Sequence, residues 1–292
     1  MTQPLKIFLA TWTMENLPGP TLSMPEQLAR ISAAGFRGVT AMHTSIAHAD
    51  QLAQWRREHG LQLESQVQPQ RIEDLEPALE LALRHDCHHV TAQVDMRPYT
   101  LAEAMKIIEA WQPLLEQTNV PVLFETHRQR LTNDLPLTVQ LLHEFPDLKL
   151  LADLSHYVVS REMPAQPDAT DQAAIHQILE HSHGFHGRFA SAEQVQIPLG
   201  YPQFEGWYAL MRQWWLQGFQ SWQRRQAGDP ALQRRDLSFT CELGPYPYAM
   251  TDRHGREYTD RWAESLLLKA EAEALWQQSL ALHATEPLAV MG

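Results

Sequence analysis

Residues 120–157, VPVLFETHRQRLTNDLPLTVQLLHEFPDLKLLADLSHY, hold one full cycle of the pattern that decides the fold. Val120–Glu125 is a short apolar run of strand length, Leu135–Glu144 follows with helical period, and Leu148–Leu154 is a second apolar run. A strand, a helix and a strand in that order make a parallel pair with a crossover. The alternation continues on both sides. Toward the N-terminus the predicted strands are Ile7–Thr13, Gly38–Met42, Leu61–Gln68 and His89–Val94. Their helices are Pro25–Ala34, capped by Ser23 and stopped by Gly35, then Ala49–His59, a segment from Pro69 to about His85, and Leu101–Glu116. Toward the C-terminus, helix Asp171–Glu180 precedes a weak strand at Gly187–Ala190, helix Phe204–Arg225, strand Leu237–Glu242 and helix Thr259–Leu282. Eight βα units without a block of either element alone argue for a single (β/α)₈ TIM barrel. An open doubly wound sheet is the structural competitor, but no G-x-G-x-x-G follows the first strand and no phosphate-binding Walker run occurs.

The length of 292 residues fits one such barrel, read as one domain over 1–292 with rim insertions around 184–203 and 226–236. A composition 44% hydrophobic and 20% charged is enough to bury a core and excludes disorder. The net charge of −12 repels phosphate backbones, so no nucleic-acid partner is expected and a small molecule is. Cys87 and Cys241 cannot build a disulfide framework. The first ten residues lack a leader pattern and no apolar run approaches a membrane span, so the chain reads as soluble and cytoplasmic, with no membrane partner. Whether two copies form a homodimer is left open.

In this fold the reactive groups stand at the C-terminal ends of the strands. Those positions read Glu125-Thr126-His127-Arg128 after the fifth strand and Asp153-Leu154-Ser155-His156 after the sixth. His183, His186 and Arg188 fall near the seventh strand, and Glu242 with Gly244-Pro245 after the eighth. Glu125, Asp153 and Glu242 follow apolar runs, where an unpaired buried carboxylate would be costly. A helix-capping or Arg-paired role is the alternative for Asp153. Oxygen ligands with one imidazole suit one divalent ion, Mn²⁺, Mg²⁺, Co²⁺ or Zn²⁺, without choosing among them. Register decides between His183 and His186. Arg188 suits a substrate anion, since guanidinium binds carboxylate and phosphate bidentately. His127 and Arg128 suit a substrate hydroxyl, carboxylate or phosphate, with a salt-bridged rim arginine as the alternative. Trp12 at the end of the first strand could wall the pocket. Cys241 should turn away from the lumen as a core thiol.

These strand ends resemble those of the xylose isomerase-like barrels, the sugar phosphate isomerase/epimerase superfamily. Such proteins place a Glu after strand 5, an Asp-x-x-His after strand 6, a His after strand 7 and a Glu after strand 8. Here those places hold Glu125, Asp153 with His156, His186 and Glu242. The Lys-Pro-rich run of xylose isomerase proper is absent. The strand-3 His that endonuclease IV barrels need for a three-metal cluster is also missing, Gln66 and Gln68 lying in that region. The resemblance implies a metal held by Glu125, Asp153, His186 and Glu242, with Glu125 and Glu242 also exchanging a substrate proton. It further implies that His156 and Arg188 hold substrate oxygens. The expected function is therefore a metal-dependent isomerase or epimerase acting on a sugar or related hydroxy-carbonyl compound through an enediolate. The alternatives are a metal-dependent hydrolase or lyase on the same ligands, and a non-catalytic barrel. The latter would bind a partner through Trp207, Trp214, Trp215 and Trp222, which could form a lid or an interface.

Overall fold

In a computed structural model, which describes residues 4–43 and 45–285, eight parallel strands close into a barrel in chain order. They are β1 (Lys6–Ala10), β2 (Gly38–Met42), β3 (Gln62–Val67), β4 (His89–Ala92), β5 (Val122–Glu125), β6 (Leu150–Ala152), β7 (Ser182–Gly187) and β8 (Ser238–Cys241). Helices α1 (Met24–Ala33), α2 (Ile46–Glu58), α3 (Leu75–Arg84), α4 (Leu101–Gln117) and α5 (Leu135–Glu144) follow the first five strands in turn. After β6 come two, α6 (Ser155–Ser160) and α7 (Ala169–Glu180), while α8 (Glu205–Gly228) and α9 (Arg261–Thr285) complete the ring. The expected TIM barrel is the observed one. Among the described residues no helix is long and apolar enough to cross a membrane.

Local chemistry sets the helix starts. Glu26 accepts from the backbone N of Ser23 at 2.8 Å ahead of α1, Glu103 accepts from Thr100 N at 3.2 Å ahead of α4, and Asp134 and Asp168 cap α5 and α7. Strand alternation then sorts side chains between two environments. Val39, Leu63, Val90, Phe124, Leu150, Phe185, Phe239 and Cys241 join the apolar layer beneath the helices. Their neighbours in sequence, among them Thr40, Glu64, Thr91, Glu125, His186 and Thr240, are also buried but are polar. The barrel interior is thus polar above an apolar floor that includes Phe8, Leu123 and Leu151.

The seventh strand differs from expectation. It runs Ser182–Gly187, not Gly187–Ala190, so 184–187 is strand and the rim segment begins at Arg188. The sequence SHGFHG has no β-branched residue, so propensity hides it. Its glycines answer to packing: a Cβ on Gly184 would lie 2.9 Å from Ser238 Oγ, and one on Gly187 would lie 2.1 Å from the Phe239 ring. The second expected insertion also shrinks, because α8 extends to Gly228 and a single 3₁₀ turn, Leu232–Arg234, follows. The first strand stops at Ala10, leaving Trp12 on a 3₁₀ turn, Thr11–Met14.

Three of the four tryptophans of α8 are core and form neither a lid nor a partner surface. Trp214, Trp215 and Trp222 are fully buried, and Trp215 meets Phe189 at 4.9 Å and Phe239 at 5.2 Å between ring centroids. Trp207, partly buried, donates to Met163 O at 3.2 Å.

Replacing Gly187 by Ala should destabilise the barrel by about 1–3 kcal/mol through overpacking against Phe239. Gly228→Ala, where a Cβ meets nothing within 4 Å, should change stability little. Urea denaturation of both variants checks the contrast; equal midpoints would show that β7 packs differently.

Candidate metal and substrate site

The site is layered along the barrel axis. At mid-height, Glu64 of β3 reaches across the lumen and accepts from His186 Nε2 of β7 at 2.7 Å. The same carboxylate accepts from Thr91 Oγ1 at 2.5 Å and Thr240 Oγ1 at 2.6 Å, with His89 Nε2 at 3.6 Å. Burial opposes its ionisation, but His186 and His89 hold its carboxyl well below the usual range. This donor set fixes the ring of His186. With Nε2 committed to Glu64, Nδ1 faces upward, 3.0 Å from Glu242 Oε2 and 3.5 Å from Glu125 Oε1.

Above His186 lie three buried carboxyls. Glu125 ends β5, its backbone carbonyl accepting from the Thr132 hydroxyl. Asp153 follows β6 and accepts on Oδ1 from the backbone N and hydroxyl of Ser155, at 3.0 and 2.5 Å. Glu242 follows β8, in a loop held by Thr13 Oγ1 on Leu243 O at 2.7 Å and by the Gln196 amide on both backbone groups of Gly244. One ligand atom from each of Glu125, Asp153, His186 and Glu242 lies within 4.8 Å of the others. The four residues expected from sequence therefore meet, and His186 rather than His183 is the imidazole among them. His183 packs instead on Trp222, with its Nε2 3.2 Å from Arg225 Nη1.

Arg188, just past β7, donates from Nη2 to Asp153 Oδ2 at 2.8 Å and to Glu242 Oε2 at 2.5 Å. Asp153 is thus Arg-paired as well as grouped with the other carboxyls. Nε and Nη1 of Arg188 are buried without a partner.

Charges in this layer are unequal. Glu64, Glu125, Asp153 and Glu242 face one guanidinium, Arg188, and the imidazoles of His186, His89 and His156, all of them buried. Burial pushes the Glu125 carboxyl up to about 7, against the pull of His186, with Glu242 and Asp153 adding to the rise. Burial also raises Asp153 despite Arg188. It works upward on Glu242 too, but His186 and Arg188 outweigh it and hold that carboxyl down at about 2. For His186, burial acts downward and is overcome by Glu242, Glu64 and Glu125, which keep the imidazole well above its ordinary value. Both Glu125 oxygens are buried without a hydrogen-bond donor. An orphaned carboxylate among surplus negative charge is what a divalent cation satisfies, so these residues fit one.

A second grouping, Glu125, His127 and His156, also brings ligand atoms within 4.8 Å. Its tautomers suit an ion less well. The His127 Nδ1–H donates to Arg128 O at 2.6 Å, while Arg128 Nη1 lies 3.3 Å from His156 Nδ1. A donating guanidinium leaves the His156 proton on Nε2, which points toward Asp153 Oδ2 at 3.4 Å. His156 is a donor here. Burial lowers both imidazoles, His127 to about 4.

The mouth is walled by Trp12 and Tyr248, edge to face at 5.0 Å. Trp12 is therefore at the site, from its turn after β1. Sequence reasoning missed Tyr248 and the whole Glu64 layer. The available signal was the polar face of the third strand, Gln62, Glu64, Gln66 and Gln68, set opposite the apolar one.

No protein-family model matches the chain, and no curated protein matches it by sequence. Solved structures do match. A D-tagatose 3-epimerase-like protein superposes with a TM-score of 0.62 at 10% identity, covering 94% of this chain and 100% of its own. An L-ribulose 3-epimerase gives 0.59 at 13%, covering 98% and 99%. A xylose isomerase-like TIM barrel protein from Mycobacterium smegmatis, in complex with magnesium, gives 0.58 at 12%, covering 94% and 97%. At these identities the likeness carries the fold alone: the chain shares the (β/α)₈ barrel of these structures.

Two outcomes follow from the geometry. A cation must displace protons from Glu125 and from Nδ1 of His186, so its affinity should rise with pH through about 7. The ion-free fold runs the other way: with Glu125 raised from 4.5 to about 7, stability falls as pH rises between those values. Melting with and without Mn²⁺ should therefore show a larger increment at pH 8 than at pH 5.5, with Asp153→Asn reducing it at both. An increment independent of pH would contradict the assignment. Separately, Glu64→Gln should weaken metal affinity about 10–100-fold through its loss of control over the His186 ring. Unchanged affinity by titration calorimetry would remove that role.

Proposed function

We propose that the chain is a divalent-metal-dependent isomerase or epimerase acting on a sugar or related hydroxy-carbonyl compound. Glu125, Asp153, His186 and Glu242 hold the ion. The observation that carries this reading is the convergence of those four side chains from consecutive strands, with both oxygens of Glu125 unsatisfied. The likeness in fold to 3-epimerases and to a magnesium complex supports it. A bound divalent cation supplies Lewis acidity, making the hydrogen beside a carbonyl removable and the resulting enediolate less costly.

The chain's own part is to move that proton. One carboxylate takes the hydrogen from the carbon beside the carbonyl. Returning a proton to the opposite face of the same carbon inverts it, and returning one to the neighbouring carbon gives the isomer. Glu125 and Glu242 suit this exchange because their environments separate them. In the ion-free site Glu125, raised to about 7, is the more basic carboxylate and Glu242, held at about 2 beside His186 and Arg188, the less basic; with Glu125 deprotonated for ligation, both are carboxylates able to accept the substrate hydrogen. His156 offers Nε2–H to a substrate oxygen, and the unpartnered Nε and Nη1 of Arg188 offer two further donors. His127 stacks on His156 at 3.7 Å between ring centroids and fixes that ring beside the substrate space. Trp12 and Tyr248 give the mouth an aromatic wall.

The test is incorporation of deuterium from solvent into a panel of ketoses and aldoses by the metal-loaded protein, followed by NMR. Exchange beside the carbonyl is expected from an isomerase or epimerase, whereas hydrolysis leaves that hydrogen in place. Glu242→Gln should lose about 10²–10⁴-fold in exchange rate at saturating metal. Near wild-type exchange by the metal-loaded variant would rule out its part in proton transfer.

A further inference from the structure

Two guanidinium groups converge on one aromatic ring at the barrel mouth. Arg188 Cζ stands 4.7 Å from the Tyr248 ring centroid and Arg128 Cζ stands 5.5 Å from it. Arg188 is fully buried, with Nε and Nη1 unpartnered. Arg128 is half-buried, and among the described residues no carboxylate pairs with it; its polar contact is His156 Nδ1 at 3.3 Å.

We propose that Arg128, over Tyr248 at the mouth, forms a subsite for a terminal anionic group of the substrate, a carboxylate or a phosphate. The natural substrate is then an acidic sugar derivative, not a neutral ketose. The proposal rests on the isomerase reading for the substrate's other end.

Three features support it. Arg188 is already matched by Asp153 and Glu242, so Arg128 is the guanidinium at the mouth with no carboxylate partner among the described residues, and an anion beside it is favoured. Buried N–H groups without acceptors are costly, and a ligand oxygen satisfies them. A neutral hydroxyl needs one donor, whereas the planar fork of arginine fits the paired oxygens of carboxylate and phosphate. The spacing is also apt. Arg128 is separated from Asp153 by the single imidazole of His156, contacted at 3.3 Å on one side and 3.4 Å on the other. A short sugar chain engaged at the carboxylate layer would bring its far end to Arg128.

The experiment compares deuterium exchange by the Mg²⁺-loaded protein on D-fructose, D-fructose 6-phosphate and a hexuronate ketose, for wild type, Arg128→Gln and Arg128→Lys. Wild type should favour one of the acidic substrates, measured as kcat/KM, and which one identifies phosphate or carboxylate. That preference should shrink roughly 10- to 100-fold in Arg128→Gln, the value of a hydrogen bond to charge. It should be partly kept in Arg128→Lys. A purely structural role would lower all three substrates together. Equal use of neutral and acidic ketoses by wild type, or a preference untouched in Arg128→Gln, overturns the proposal. If no ketose exchanges, the isomerase reading fails on its own, and thermal shift with inorganic phosphate and with acetate decides the subsite. Protection of wild type lost in Arg128→Gln sustains it; equal protection of both proteins, or of neither, overturns it.

Discussion

The hydrogen bond from His186 to Glu64 crosses the lumen at 2.7 Å and organises everything above it. Strands β3 and β7 stand on opposite sides of the barrel, so this contact is possible only because the interior is filled by side chains and is not a pore. A carboxylate at mid-barrel is costly to bury, and three donors are gathered to it: two threonine hydroxyls and one imidazole. The imidazole, so used on one edge, has its other edge turned toward Glu125 and Glu242. A neutral residue in place of Glu64 would leave both the ring and its proton undetermined.

From that fixed ring the electrostatics of the upper layer follow. Three carboxyls share a dry space with one guanidinium and the imidazoles of His186 and His156, and they do not share the positive charge evenly. Arg188 binds Asp153 and Glu242 but makes no bond to Glu125. Glu242 is accordingly held ionised, while burial, only partly offset by His186, raises Glu125 to about 7. Two side chains of identical chemistry thus differ widely in basicity in the ion-free site, through burial and through the cations that pair with one and not the other.

How much of this was legible in the sequence depended on what kind of signal each part leaves. Helix α5, Leu135–Glu144, was read to the residue because a repeated apolar face marks it. Glu125, Asp153 and Glu242 stood out because a carboxylate ending an apolar strand is energetically conspicuous. Strand β7 was misplaced because its residues are chosen for clearance and chemistry: two glycines make room for Ser238 and Phe239, and His186 serves the site. Glu64 was passed over because polar alternation along β3 looks like a solvent-facing edge unless the barrel interior is itself polar. The α8 tryptophans misled in the opposite sense. Aromatic side chains on a long helix suggested a surface, but α8 lies over β7 and β8, where Phe185, Phe189 and Phe239 supply the facing rings.

The net charge of −12 and an acidic substrate are compatible for a reason of range. Charge spread over the surface is screened within about 8 Å at physiological ionic strength, whereas groups inside a water-poor mouth are screened much less. What a ligand meets at short distance is local: the Arg128 guanidinium against an aromatic wall at the rim, and a surplus of carboxylate below, where Arg188 is already paired with Asp153 and Glu242. Such a gradient discriminates by orientation. If the substrate's far end is anionic, as proposed, it would be drawn to Arg128 and repelled from the carboxylate layer, leaving the uncharged carbonyl end to face Glu125 and Glu242. Charge at the far end of a molecule would then set which carbon reacts, without any of the proton-transfer groups touching that charge.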